Sequence, residues 1–300
     1  MQHLKRIKFA IGILALFCMA LAIFFVLRSD GALITHPKGI IARDELDLIH
    51  TVILLMLIIV IPTFVLLFAI AWKYRASNTK AKYEPETKHG VFKELILWII
   101  PSIIIAVMAP ITWKATHKLD PYRPLSIDVQ PLAIQVVALD WKWLFIYPEQ
   151  GIATVNFFQF PAGTPIHLSL AAHGSPMNSF WLPQLSGQIY AMTGMTTQLH
   201  IMADEPGVYT GRAAEINGKG FADMTFVAKS TSQSDFDTWV AEVKQSPARL
   251  TNNAYTELAK PSQKNPIALY SYVEKNLFNE IVMKTMHPNE ISWETSSPGN

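Results

Sequence analysis

Two stretches of this chain, at about residues 48–72 and 95–113, contain no Asp, Glu, Lys or Arg. A helix needs ~20 apolar residues to cross ~30 Å of hydrocarbon, and both stretches reach that length. A long helix at the surface of a soluble domain would carry a polar stripe. Neither stretch has one, so both are expected to span a membrane. Pro62, Pro101 and Pro110 fall inside them and are read as tolerated kinks, because neighbouring groups can satisfy the freed carbonyls. A third apolar run, residues 9–27, follows Lys5, Arg6 and Lys8. Its basic start fits a signal peptide, but its length favours retention as a further span.

Charge around the spans sets the expected orientation. Lys73, Arg75, Lys80, Lys82, Lys88 and Lys93 crowd the loop between the second and third runs. The segment before the second run balances Arg28, Lys38 and Arg43 with Asp30, Asp44, Glu45 and Asp47. Basic loops stay in the cytoplasm, so everything after Trp113 is expected outside, in the periplasm of a Gram-negative cell. The net charge of +2 gives no reason to expect nucleic-acid binding. The single cysteine, Cys18, lies in the first run. No internal disulfide can form, and the remainder of the chain can build no thiolate metal site. Ala15 and Phe17 occupy positions where a lipoprotein signal needs a leucine and a small residue, which argues against lipidation of Cys18.

From Leu132 the pattern changes to short alternating strands, such as Ile166-His167-Leu168-Ser169-Leu170 and Thr197-Gln198-Leu199-His200-Ile201. Gly and Pro punctuate them, which predicts an antiparallel sandwich or barrel. After Ser230 the period becomes helical: Phe236, Trp239, Val240 and Val243 share one helix face. Ser234 is the predicted N-cap, with Asp237 three residues on. Further helices are expected at 253–259 and 273–286. The expected organisation is an N-terminal apolar segment (1–30), a transmembrane hairpin (44–118), a β-domain (119–230), a helical extension (231–287) and a disordered tail (288–300).

Several motifs carry a family resemblance. Glu94-x-x-x-Trp98-x-x-Pro101, Asp140-Trp141-Lys142-Trp143-Leu144-Phe145 and Tyr147-Pro148-Glu149-Gln150-Gly151 resemble segments of subunit II of the haem–copper oxidases, the latter two in its quinol-oxidase version. Met177-Asn178-Ser179-Phe180 and the segment from Gly211 to Gly218 fall where that family builds its copper loop. The resemblance spans roughly residues 44–286. It implies a transmembrane hairpin followed by an all-β cupredoxin-like sandwich, with an aromatic-rich extension after Ser230.

Copper-bearing members of the family hold a pair of copper ions with Cys-x3-Cys-x3-His-x2-Met and an upstream His. Soft sulfur ligands suit that metal pair. Those positions here are Ala213, Asn217, Phe221, Met224 and Asn178. The spacing is intact, but among the ligands only Met224 remains, with Glu215 kept between them. No metal is therefore expected in this chain. The loss matches the quinol branch, where the electron donor dissolves in the bilayer and needs no external relay. The resemblance implies a complex that oxidises quinol, reduces oxygen to water and moves protons outward. Its haem and copper would lie in subunit I, on which this chain packs together with the other membrane subunits. A subunit II glutamate in the Glu94 motif lies at the mouth of a proton channel in the family. The bacterial inner membrane is the implied location.

Simpler readings stand beside these. Met224 begins an alternating run with Phe226 and Ala228 and reads as core. Glu215 is either hydrogen-bonded near a subunit interface or solvated. His173 reads as a surface loop histidine. Glu94 at a helix start is stabilised by the helix dipole in any case. A different class of function, a membrane-anchored copper-handling protein of cupredoxin fold, would need His, Cys or clustered Met ligands; Met192 and Met195 are the nearest approach to such a cluster.

Overall fold

The computed structural model describes residues 33–81, 90–126, 128–175 and 177–286. The run at 9–27, Cys18 and the tail 288–300 lie outside these residues, as does most of the second half of the basic loop. The described chain divides into two compact units, residues 44–120 and the remainder.

The first unit is made of α1 (Ile40–Lys73) and α2 (Val91–Lys118). Both are long and apolar enough to cross a membrane. Each continues through its prolines. The hydroxyls of Thr63 and Ser102, each just after a proline, donate to the Ile59 and Trp98 carbonyls at 2.8 and 2.7 Å. Asp44 and Lys118, at opposite chain ends of the hairpin, pair at 2.7 Å.

The second unit is a β-sandwich of eleven strands among the described residues. Its strands are β1 (Leu132–Leu139), β2 (Lys142–Tyr147), β3 (Ile152–Val155), β4 (Phe157–Pro161), β5 (Ile166–Ala172), β6 (Met177–Trp181), β7 (Gln188–Met192), β8 (Thr197–Ile201), β9 (Gly207–Ala213), β10 (Thr225–Thr231) and β11 (Ala268–Tyr270). One sheet runs β11-β3-β2-β1-β5-β8 and the other β4-β10-β9-β6-β7. The expectation of a purely antiparallel arrangement is corrected at two pairings. β1 pairs β5 in parallel, with Leu132 opposite Ile166, and β10 pairs β4 in parallel, with Val227 opposite Phe157. Neither pair is sequence-adjacent, so no hairpin turn marks it.

Between the sheets lies an aromatic core. Phe226 stacks on Phe180 with centroids 4.8 Å apart and meets the edge of Trp143 at 5.8 Å. Gly211 sits opposite Phe226 across β9 and β10, and a Cβ there would lie 1.9 Å from the Phe226 ring. The ring is wedged among other rings and has nowhere to move. Gly211→Ala is expected to cost about 2–3 kcal/mol through overpacking. Thermal unfolding of the detergent-solubilised chain, followed by near-ultraviolet circular dichroism, checks this; an unchanged midpoint would mean the ring can leave.

β1 and β2 are buried on both faces. Trp143, Phe145 and Tyr147 enter the aromatic core, while Leu144 and Ile146 face a second cluster with Leu250, Tyr255, Leu277, Phe278 and Ile281. This explains the near-continuous apolar reading of both strands. The second cluster is covered by the C-terminal part of the chain: α3 (Gln233–Val243), α4 (Asn252–Leu258), β11 and α5 (Leu277–Met286). Of these, α3 packs into the aromatic core itself through Phe236, Trp239, Val240 and Val243, as its periodicity requires. Its N-cap is Ser232, not Ser234: the Ser232 hydroxyl accepts from the Asp235 N–H at 3.1 Å. The last helix starts at Leu277 rather than 273, because Val273 is held in a bridge with Leu250. The extension is also not purely helical, since β11 adds a strand to β3.

A strap precedes α1. The Lys38 N–H donates to the Gln184 carbonyl at 2.7 Å, and the Asp204 N–H donates to the Lys38 carbonyl at 3.0 Å. Gly39 lies so close beneath Met202 that a Cβ would come 2.4 Å from its carbonyl oxygen. Arg43 pairs with Asp204 alongside. Backbone bonds thus hold residues 38–39 on the sandwich, and they exceed the exposed ion pair of Arg43 in worth.

Candidate functional site

The positions singled out in the sequence converge at one end of the sandwich. The stems of the loop after β9 are closed by backbone bonds: the Ala213 N–H donates to the Met224 carbonyl, and the Ala214 N–H to the Ser179 carbonyl, both at 3.0 Å. The 3-10 turn Phe221–Asp223 ends the loop and delivers Met224 into β10. Asn178, fully buried on β6, accepts a hydrogen bond from the Asn217 amide. The same Asn217 amide lies 3.2 Å from the Met224 sulfur. Asn178, Asn217 and Met224, three of the five positions that the sequence resemblance singles out, are therefore in direct contact, and Ala213 joins them through its backbone. Phe221 is half-buried and packs against the core.

This donor set does not fit a copper pair. Two amides and a thioether supply no thiolate to bridge two ions and no imidazole to complete them. The three side chains form a small polar contact instead. Asn178 Nδ2 and Asn217 Oδ1 are buried and have no hydrogen-bond partner among the described residues. Among the described residues no group of three or more His, Cys, Asp or Glu could hold a metal ion.

Trp141 holds the loop from below. It forms the β1–β2 turn with Asp140 and adopts a left-handed backbone, φ 61°, a conformation that is uncommon for a bulky residue. Its ring fills the space beneath Gly220 and Gly218, where a Cβ would come within 2.3 and 3.2 Å of it. The glycines of the Gly218-Lys219-Gly220 segment are there so that the loop can lie flat on this indole.

The remaining candidates separate. Met224 is fully buried, as its alternating run suggests. Glu215 is exposed and Ile216 beside it is 79% exposed. Met177 and Met192 face each other across β6 and β7, while Met195 lies beyond the strand. Glu94 is exposed in the first turn of α2, whose N-cap Gly90 offers no side-chain cap. A carboxylate in that turn complements the uncapped N–H groups.

His173 is not a plain surface histidine. It is half-buried, and its Nδ1 lies 2.6 Å from the Tyr255 hydroxyl of α4, with the rings stacked at 5.7 Å. Burial holds its imidazole below the ordinary value, the Lys284 charge adds to this, and Asp140 opposes it. Lys142 was equally unforeseen as a structural residue. It is 1% exposed, and its ammonium donates to the Lys260 carbonyl at 2.8 Å and to the Ser262 hydroxyl. Burial pushes its pKa down, against the pull of Asp140. The sequence did hold a signal: a lysine inside an otherwise apolar strand, Lys142-Trp143-Leu144-Phe145-Ile146-Tyr147, must find a buried partner.

Comparison with known proteins agrees with this anatomy. Residues 149–231 match the family described as "Cytochrome C oxidase subunit II, periplasmic domain", and residues 244–289 match the "COX Aromatic Rich Motif". The cytochrome bo(3) ubiquinol oxidase subunit 2 of Pseudomonas aeruginosa is 50% identical over 91% of this chain and 82% of its own length. The ubiquinol oxidase subunit 2 of Acetobacter aceti is 47% identical over 84% of this chain and 82% of its own. A quinol oxidase subunit 2 of Bacillus cereus is 39% identical over 76% and 78%. Two helices long and apolar enough to span a membrane, a cupredoxin-like sandwich and the aromatic-rich extension occur together here, and the chain belongs to the quinol-oxidase subunit II family of the haem–copper oxidases.

Proposed function

We propose that this chain is the subunit of a respiratory quinol oxidase that anchors and caps the complex without carrying electrons itself. The complex oxidises quinol and reduces oxygen to water. The observation that supports the reading is the Asn178–Asn217–Met224 contact, which fills the positions that the resemblance assigns to copper ligands. A donor that dissolves in the bilayer delivers its electrons within the membrane, so the sandwich needs no metal. The quinol is ubiquinol, a choice supported by the names of the Pseudomonas and Acetobacter relatives and their higher identity.

In this reading α1 and α2 pack on subunit I, which holds the haem and copper, and the sandwich lies on the periplasmic face of the bacterial inner membrane. The basic residues Lys73, at the end of α1, and Arg75 and Lys80, just beyond it, support that orientation. The domain organisation follows the same division, with a transmembrane hairpin, a cupredoxin-like domain and an extension after Ser230. Glu94, at the cytoplasmic start of α2, takes up protons for the complex. A carboxylate suits a boundary where the dielectric falls, because it can exchange a proton with water there.

Affinity purification through a tag on this chain tests the function. Haem, copper and ubiquinol:oxygen activity are expected to co-purify with it. Recovery of the chain without haem would overturn the reading. Orientation is tested by reporter fusions: one after Ala81 is expected to be active in the cytoplasm, and one after Ser232 outside. The opposite labelling would invert the topology.

A further inference from the structure

Trp72 and Lys73 end α1, and Tyr74, Arg75 and Lys80 follow just beyond it. The chain turns tightly here. The Asn78 N–H donates to the Arg75 carbonyl at 2.9 Å, and the Asn78 side-chain amide donates to the Lys73 carbonyl at 2.5 Å. Asn78 Oδ1 accepts in turn from the Lys80 N–H at 3.3 Å. The Arg75 guanidinium folds back on the helix end. Its Nη1 donates to the Trp72 carbonyl at 2.7 Å and its Nε to the Ser77 hydroxyl at 3.1 Å, and it lies 4.6 Å from the centroid of the Trp72 ring. Lys73 Nζ lies 5.3 Å from the centroid of the Tyr74 ring.

We infer that this turn is a binding site for the phosphodiester headgroup of an anionic phospholipid. Its positive charge is uncompensated. The ion pairs among the described residues lie elsewhere, at Lys38–Glu205, Arg43–Asp204, Lys118–Asp44 and Lys260–Glu257, and none of them involves Lys73, Arg75 or Lys80. In the sequence that follows, Lys82, Lys88 and Lys93 outnumber Glu84 and Glu86. A bare helix C-terminus would repel an anion. Here the carbonyls of Trp72 and Lys73 are already taken up by Arg75 and Asn78. Arg75 is also pre-organised. The stacking and the two hydrogen bonds fix the plane of the guanidinium, and the remaining N–H groups of its five can meet phosphate oxygens.

Depth selects a lipid over a soluble anion. Trp72 and Tyr74 are 58% and 56% exposed, directly after an apolar stretch long enough to cross a membrane. Such rings settle at the level of the headgroups. Arg75, stacked on Trp72, is therefore held at the depth of the phosphates, and the indole lies against the glycerol and the first carbons of the acyl chains. The site requires that α1 spans a membrane and is indifferent to which side its end faces.

Photolabelling of the complex in its membrane tests the site. The probe is phosphatidylglycerol with a photoactivatable group near the glycerol, and labelled peptides are mapped by mass spectrometry. Residues 70–81 are expected to be labelled, and phosphatidylcholine with the same photoactivatable group is expected to label them at least about fivefold less. Arg75→Gln is expected to reduce the phosphatidylglycerol signal about fivefold, and the double variant Lys73→Gln/Lys80→Gln at least as far. Arg75→Lys, which keeps the charge and loses the planar fork, is expected to fall between. Lys229→Gln, on an exposed position of β10, is expected to leave the signal unchanged, as is excess inorganic phosphate at constant ionic strength. Equal labelling by both lipids would overturn the site, as would an undiminished signal in both Arg75→Gln and the double variant. Loss of labelling to inorganic phosphate would show a general anion site and overturn the lipid. Alkaline extraction checks the span separately. Release of the chain from the membrane would overturn the span and the site with it, whereas a retained but unlabelled chain overturns the site alone.

Discussion

Glu94→Ala is expected to leave the oxidase assembled with normal haem content and to slow quinol oxidation severalfold, with Glu94→Asp milder. The side chain stands in the first turn of α2, beyond the apolar stretch that crosses the bilayer. Removing it changes neither the length nor the hydropathy of the span, so insertion is unaffected. A carboxylate there interacts with the helix dipole for about 0.3–1 kcal/mol, and that loss alone would shift stability slightly and leave turnover untouched. Proton uptake would be slowed instead, because alanine cannot exchange a proton with water. The measurement is steady-state oxygen consumption by purified complex across pH 6 to 8, normalised to haem. Wild-type rates throughout that range would refute the proton role and leave Glu94 as a helix-terminus residue.

Placing Cys and His at the four positions proposed to be degenerate copper ligands is expected to let the chain bind a pair of copper ions. The four substitutions are Ala213→Cys, Asn217→Cys, Phe221→His and Asn178→His. The frame for them is already present: Asn178, Asn217 and Met224 touch one another, and the Ala213 N–H is bonded to the Met224 carbonyl. Replacing the two asparagines also removes the orphaned Asn178 Nδ2 and Asn217 Oδ1, which recovers part of the cost of the change. The main loss comes at Phe221, which packs on the core; truncating apolar contact there costs on the order of 1–2 kcal/mol. Bound copper after dialysis and intense visible absorption of a mixed-valence pair are the readouts. A folded variant that takes up no copper would show that the backbone frame has drifted from the one metal requires.

The two kinds of structure in this chain were legible to different degrees. α1 and α2 could be read directly, because a membrane span is a one-dimensional property: length and the absence of charge suffice, and no partner need be known. α3 was legible in the same way, since Phe236, Trp239, Val240 and Val243 carry their period locally. Its cap was misplaced by two residues because Ser232 and Ser234 are both capable caps, and only the bond to the Asp235 N–H distinguishes them. The spacing from Ala213 to Met224 was also visible locally, and the structure brings Asn178, Asn217 and Met224 from that reading into contact.

Pairings between distant segments were decided only by the tertiary structure. Asn178 and Asn217 are 39 residues apart, and nothing in either neighbourhood announces the other. The parallel register of β1 with β5 arises from closing the sandwich, where apolar faces must meet on both sides of β1; local alternation cannot express it. His173 has the sequence context of a surface loop, yet it docks Tyr255 because α4 folds back over the outer face of the sheet. Local periodicity and charge therefore determined the elements, the spans and the loop frame. Which polar side chains became buried, and against whom, depended on which faces the fold brought together, because a buried polar group is stable only beside a partner that the whole chain supplies.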